Sequence, residues 1–207
     1  MVEDRWALEA SAIRRGAKWV AGVDEAGRGP LAGPVVAGAV ILAPERIPVG
    51  IDDSKKLTPR KRCQLFTEIS RTAVAVGIGI VEPAEIDRLN ILRAALKAMQ
   101  LAVDRLNPAP DHILVDGNHA MPGTRAQSAI VKGDSRSLSI AAASIIAKET
   151  RDRLMANHHE DYPAYGFDRH KGYPTAAHRA VLAEIGPCPI HRRTFRGVRE
   201  HLPDSGP

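Results

Sequence analysis

Asp24 and Glu25 stand side by side at the end of an apolar run, Trp19 to Val23, and Ala26-Gly27-Arg28-Gly29-Pro30 follows at once. Successive strand side chains point to opposite faces. Two adjacent acids therefore converge on one ion only where the strand ends or bends, or where a backbone carbonyl completes the shell. The glycines permit that bend. An arginine between two glycines adds backbone N–H groups and a guanidinium, a combination suited to a phosphate or a sugar. The stretch reads as part of a metal-dependent site acting on a phosphorylated polymer.

Two further acids sit in comparable places. His112 to Val115 reads as a short buried strand ending in Asp116-Gly117-Asn118, and Ala129 to Val131 as another, ending in Lys132-Gly133-Asp134-Ser135. In open α/β sheets, ligands gather at strand ends where the strand order reverses, so acids from several strands can meet in one cleft. Crowded carboxylates repel one another, and divalent cations relieve the repulsion. Oxygen donors with retained waters suit Mg²⁺ or Mn²⁺. Two such ions roughly 3.5 to 4 Å apart can activate a water and stabilise the leaving oxygen of a phosphodiester. An Asp before Gly is, taken alone, more often a turn former or helix cap. The joint pattern of Asp24, Glu25, Asp116 and Asp134 points instead to in-line phosphodiester hydrolysis.

The elements that must carry these acids follow from the hydrophobic pattern. Residues 3 to 15 suggest a short amphipathic helix through Trp6, Ala10 and Ile13. Lys18 to Asp24 and Gly33 to Leu42 read as strands joined through the glycine loop, an antiparallel pair. Thr58-Pro59 caps a helix to Arg71, and Ala73 to Val81 is a third strand. Ile86, Leu89, Leu92, Leu96, Met99 and Val103 recur at helical steps, which predicts one amphipathic helix over Ala84 to Leu106. Ser137 to Met155 is small and apolar enough for a buried helix against the sheet. A Tyr/Gly/Pro-rich loop from Tyr162 to Pro174, a helix from Thr175 to Ile185 and a basic tail complete the chain.

At 207 residues the chain suits one main domain. Its composition, 44% hydrophobic and 26% charged, argues against disorder or a fibrous class. A net charge of +5 favours a polyanionic partner, whereas 4% aromatics weighs against binding single strands by successive base stacking. Cys63 and Cys188 fit no metal or redox spacing. With no export signal and no membrane-length apolar run, the sequence predicts a cytoplasmic protein without membrane contact.

Ala21-Gly22-Val23-Asp24-Glu25-Ala26-Gly27-Arg28-Gly29-Pro30-Leu31, Asp53-Ser54-Lys55-Lys56-Leu57, Asp116-Gly117-Asn118, Lys132-Gly133-Asp134-Ser135 and His170-Lys171-Gly172-Tyr173-Pro174-Thr175 closely resemble, in order, the motifs of bacterial ribonuclease HII, a type 2 ribonuclease H. The match spans residues 18 to 198. The resemblance implies an α/β, ribonuclease H-like fold, a mixed β-sheet flanked by helices with a small C-terminal helical extension. It divides the single catalytic domain into a core over 18–160, a helical and basic extension over 161–200 and a flexible end over 201–207. It implies cleavage of the RNA strand of RNA–DNA hybrids and nicking 5′ of single ribonucleotides in duplex DNA, with two divalent ions, Mn²⁺ or Mg²⁺. The ends left would be 5′-phosphate and 3′-hydroxyl, and the protein would act as a monomer. A replication or repair partner is not readable from the residues.

On the same resemblance, Asp24, Glu25, Asp116 and Asp134 bind the metals. Gly27, Arg28 and Gly29 read the ribose 2′-hydroxyl through backbone groups, which accounts for small side chains there. Tyr173 packs on the sugar after the ribonucleotide, although most loop tyrosines only anchor their loop. Lys55 and Lys56 lie near phosphates, Lys55 the stronger candidate; such a pair is otherwise a solvated face. His170 and Lys171 are candidate phosphate contacts. Ser135 is a candidate cap for the following helix, whose N-terminus would face a phosphate. Arg192 and Arg193 match a late segment that binds DNA or packs. The tail departs from the family pattern at Phe195-Arg196-Gly197-Val198, where Arg-Gly replaces the more frequent Gly-Pro.

Two rival readings remain. A catalytically silent nucleic-acid-binding module would use the acids only as turn formers and would be expected to lack at least one of the four. A metal-dependent phosphatase for small phosphates would not need Lys55, Tyr173 or the basic tail, and strong salt dependence on a duplex would speak against it.

Overall fold

Val35–Ile41 is buried at every position, so both faces of this strand are covered, and the sheet around it sets the plan of the molecule. The computed structural model describes residues 4–202. In it β1 (Val20–Ala26), β2 (Val35–Ile41), β3 (Ala75–Val81), β4 (His112–Asp116) and β5 (Gln127–Ile130) form one sheet in the order β3-β2-β1-β4-β5. β2 pairs antiparallel with β1 and β3, while β4 runs parallel to β1 and β5. This is the expected mixed sheet, and β1–β2 is the expected antiparallel pair.

Helices cover both faces. On one side α4 (Ile91–Asp104) sets Ala94, Ala98 and Ala102 in the same core cluster as Val23, Ala37 and Val115. On the other, α6 (Leu138–Asp161) packs Ala142, Ile145 and Ile146 with Val40 and with Leu65 and Ile69 of α2 (Pro59–Thr72). α6 approaches β1 so closely that a Cβ on Gly22 would lie 2.1 Å from the Ser139 carbonyl carbon. Thr58 caps α2 by accepting from Lys61 N, with Pro59 in the first turn, as expected.

The single helix expected over Ala84 to Leu106 is two. α3 (Pro83–Leu89) stops at Asn90, which sits at φ +71° and caps α4 by accepting from Arg93 N at 3.1 Å. Asparagine tolerates left-handed backbone and makes a good cap. The apolar spacing runs through the break because Ile86 and Ala94 enter one core cluster. α1 (Ala7–Arg14) matches the expected N-terminal helix.

The loop of residues 162–174 holds a 3₁₀ turn, Pro163–Tyr165, and a short helix, α7 (Phe167–His170). Thr175 caps α8 (Ala176–Ile185). Leu31, Met155, Phe167, Leu182 and Val198 form a satellite core that ties this extension to the loop after β1 and to α6. The flexible end was expected from residue 201. A 3₁₀ turn, Arg199–His201, reaches the first residue of that segment, and residues 203–207 lie outside those described. Among the described residues no helix is long and apolar enough to cross a membrane.

Candidate active site

Pairing between β1 and β4 reaches Val23 opposite Val115, so the next residues, Asp24 and Asp116, stand level just past the point where that pairing stops, Asp116 at the end of β4 and Asp24 within β1. β1 nevertheless continues beside β2, with Asp24 opposite Gly38 and Glu25 opposite Ala37. Asp134 is not on a strand end, as the sequence suggested, but on a four-residue helical turn, α5 (Gly133–Arg136). Gly133 N donates to Asp116 Oδ1 at 2.7 Å, which ties the turn carrying Asp134 to the end of β4.

The acids share one electrostatic field. Asp24 is 6% exposed, and burial, then Glu25, then Asp116 push its carboxyl well above the usual carboxylate range. Burial also raises Glu25, opposed by Arg28, whose Nη1 lies 3.2 Å from Glu25 Oε1. Asp116 is raised by burial and by Asp134, the Gly133 N–H working the other way. Burial lowers the Lys55 ammonium, but Asp24, Asp53, Asp134 and Asp116 outweigh it and leave it raised. Lys55 Nζ stands 4.0 Å from Asp134 Oδ2.

Among the described residues no three Asp, Glu, His or Cys side chains are gathered tightly enough to enclose an ion as the chain stands. The donor chemistry still fits a hard divalent cation, because all four groups are carboxylates and the buried Asp24 charge is poorly compensated. Lys55 and Arg28 offset the charge of Asp24 and Glu25 only in part, since both carboxyls stay raised.

Asp24, Glu25, Gly27, Arg28, Gly29, Lys55, Asp116 and Tyr173 line one cleft, together with Ser54 and Lys148. The Tyr173 ring is 42% exposed and lies 3.7 Å from where a Cβ on Gly29 would be. Lys148 was not foreseen. It forms an i,i+4 pair with Asp152 at 2.6 Å, which in sequence looks like an ordinary solvated helix face, and nothing in the spacing marks it.

Gly27 is required for a reason other than substrate access. Gly27 has φ +98°, and a Cβ there would lie 2.1 Å from Arg151 Nε and 2.9 Å from the Pro34 carbonyl.

Several expected contacts lie elsewhere. Lys56 is 3.8 Å from Asp52 and does not line the cleft. Ser135 Oγ donates to the Lys132 carbonyl, and α6 is capped instead by Ser137, which accepts from Ile140 N at 3.1 Å. His170 has both ring nitrogens engaged within its own loop, on the Tyr165 carbonyl and the Gly172 N–H. Lys171 sits at φ +51° and offers its carbonyl to Arg151. Arg192 is 0% exposed, so its guanidinium cannot meet a substrate directly. Arg193 is exposed and its N–H donates to Asp87, beside a different depression.

Comparison with known proteins gives a consistent result. The family model described as Ribonuclease HII matches residues 21–198. A protein of Geobacter sulfurreducens named "Ribonuclease HII" is 60% identical over 97% of this chain and 92% of its own length. The ribonuclease H2 structure from Pyrococcus horikoshii superposes with TM-score 0.77 at 31% identity, covering 88% of this chain and 96% of that one. A Bst-RNase HIII in complex with Mn²⁺ shares the fold, with TM-score 0.65 at 18% identity over 92% of this chain and 71% of that one.

Proposed function

The chain belongs to the ribonuclease HII family, endoribonucleases that cleave the RNA of RNA–DNA hybrids, and on that premise we propose that it also nicks duplex DNA 5′ to a single embedded ribonucleotide. The observation that carries the reading is the convergence of Asp24, Glu25 and Asp116, the Gly27-Arg28-Gly29 backbone, Lys55 and the exposed Tyr173 ring in one cleft, with Asp134 beside it, 4.0 Å from Lys55 Nζ. A silent binding module has no use for a buried, poorly compensated Asp24, and a phosphatase for small phosphates has none for Tyr173.

The family depends on divalent ions, and a Mn²⁺ complex of the Bst-RNase HIII relative supports Mn²⁺ or Mg²⁺ as the ion here. Asp24, Glu25, Asp116 and Asp134 would hold two such ions, which when bound supply Lewis-acid stabilisation of a phosphodiester and a more acidic water. The protein's own part is positioning. The N–H groups of the Gly-Arg-Gly loop meet the ribose 2′-hydroxyl, and Lys55 balances charge developing on the phosphate. Tyr173 packs on the following deoxyribose, so the junction between ribose and deoxyribose is read beside the acids. Hydrolysis leaves a 5′-phosphate and a 3′-hydroxyl.

The test is cleavage of a DNA duplex with one internal ribonucleotide beside an all-DNA control, in Mg²⁺, Mn²⁺ or EDTA. Metal-dependent nicking 5′ of the ribonucleotide, with those two ends, is expected. Cleavage of long hybrids with the single-ribonucleotide duplex left intact would restrict the protein to hybrid hydrolysis.

A further inference from the structure

Arg192 and Arg151 are 0% and 1% exposed, and every hydrogen bond of their guanidiniums found among the described residues goes to a backbone carbonyl. Burying two like charges with no carboxylate between them is costly. Burial pushes Arg151 down to about 10 and Arg192 down to about 9, the latter also lowered by Arg151, so both remain charged at neutral pH. What they hold is the loop after β1. Arg192 Nη2 donates to the Gly27 carbonyl at 2.6 Å and Nη1 to the Arg28 carbonyl at 3.0 Å. Its Nε donates to Gly33 O, and Arg151 holds Ala32 O and Pro34 O.

In a planar trans peptide the C=O and the following N–H point in opposite directions. With the Gly27 and Arg28 carbonyls turned inward onto Arg192, the next N–H groups, those of Arg28 and Gly29, turn away from it. Among the described residues neither N–H donates to a protein acceptor, and both residues line the acid cleft. Two adjacent outward N–H groups make a small anion- and hydroxyl-binding concavity.

We propose that Arg192 is the positioning residue for ribonucleotide recognition: it fixes, from inside the protein, the direction of the two N–H donors that meet the 2′-hydroxyl. This rests on the reading of the loop given above. A guanidinium is needed because only its planar fork reaches several carbonyls at once, and an ammonium does not replace it. Of the two roles expected of Arg192, binding DNA or packing, its buried place one layer beneath the cleft accords with the second.

The experiment is fluorescence anisotropy with calcium as the divalent ion, comparing a duplex carrying one ribonucleotide with the all-DNA duplex, for wild type and Arg192→Lys. The wild type is expected to favour the ribonucleotide duplex. In Arg192→Lys that preference should fall at least about tenfold while all-DNA affinity stays within about twofold, whereas a merely structural role would weaken both together. If the wild type binds both duplexes equally, the reading of the loop fails and the inference with it. If the wild type discriminates and folded Arg192→Lys does so equally well, the inference alone is overturned. Should Arg192→Lys not fold, the wild-type amide signals of Arg28 and Gly29 decide. They must shift with the ribonucleotide duplex and not with the all-DNA duplex, and equal response to both would overturn the proposal.

Discussion

Arg151 Nε occupies the space that a Cβ on Gly27 would need, 2.1 Å from its ideal position. The Gly-Arg-Gly loop is thus shaped from within, by a buried guanidinium, as much as by what binds outside. Gly27→Ala must both displace Arg151 and hold a side chain at φ +98°, whereas Gly16→Ala, at φ +101° with nothing within 4 Å, meets only the backbone strain. Urea unfolding should show Gly16→Ala costing about 1 kcal/mol and Gly27→Ala about 3 kcal/mol. Equal costs would show that Arg151 yields freely.

Asp24→Asn should stabilise the ion-free protein while abolishing nicking. A carboxyl raised in the fold penalises stability where it is ionised, so the penalty is full above the raised value and fades as pH falls towards the ordinary 3.8. Asn keeps the acceptor for Glu25 N, which Asp24 Oδ1 engages at 2.7 Å. In EDTA near pH 7.5 the midpoint should rise by a few degrees, from removing about 1 to 3 kcal/mol of unfavourable charge burial. The gain should shrink near pH 4. A lower midpoint at both pH values would mean that Asp24 is already well compensated.

The C-terminal extension should be acid-sensitive through His191. Cys188 N donates to His191 Nδ1, His191 Nε2 lies 3.0 Å from His178 Nε2, and His178 Nδ1 lies 3.0 Å from the Tyr173 carbonyl. Two neutral imidazoles satisfy this chain, which ends on the backbone of Tyr173. Burial, then His178, lowers His191 to about 4. Its contribution is therefore complete above the unfolded value near 6.5 and is lost as pH falls through 4. Between pH 7 and 4 the wild type should lose up to about 3 kcal/mol more than His191→Gln in urea unfolding. Parallel losses would remove His191 from the account.

Lys55 and Lys56, neighbours in sequence, should separate in function. Lys55 lines the cleft with its Nζ 4.0 Å from Asp134 Oδ2, and Lys56 pairs with Asp52 outside it. Lys55→Ala should lower kcat/KM on a ribonucleotide-containing duplex by about 10- to 100-fold, and Lys56→Ala by less than about threefold. The reverse order would place the phosphate on the other side of the loop.

The sheet, and Asp116 at the end of its strand, were legible because an apolar run closing on Asp-Gly carries both a period and a chemistry, whereas β1 runs on past Asp24-Glu25 to Ala26 and Asp134 sits on a helical turn. The break at Asn90 was not, since the apolar spacing of Ile86 and Ala94 continues through it while one left-handed residue turns the chain. Arg192 was legible as a motif but not as a buried residue, because burial of a charge depends on carbonyls supplied about 160 positions earlier in the chain. Lys148 carried no signal at all, and an i,i+4 pair looks the same in sequence whether it faces a cleft or bulk water.

The central claim is that the four acids on β1, at the end of β4 and on α5 perform the cleavage, and Asp134→Asn tests it most directly. Asp134 is partly exposed, and its long-range fold contact, Arg5 Nη2 donating to its carbonyl at 2.8 Å, is made by the main chain and is kept in the variant. In Mg²⁺, folded Asp134→Asn should bind the hybrid within about threefold of wild type yet nick at least about 100-fold more slowly. Nicking at a near-normal rate by that variant would contradict the account.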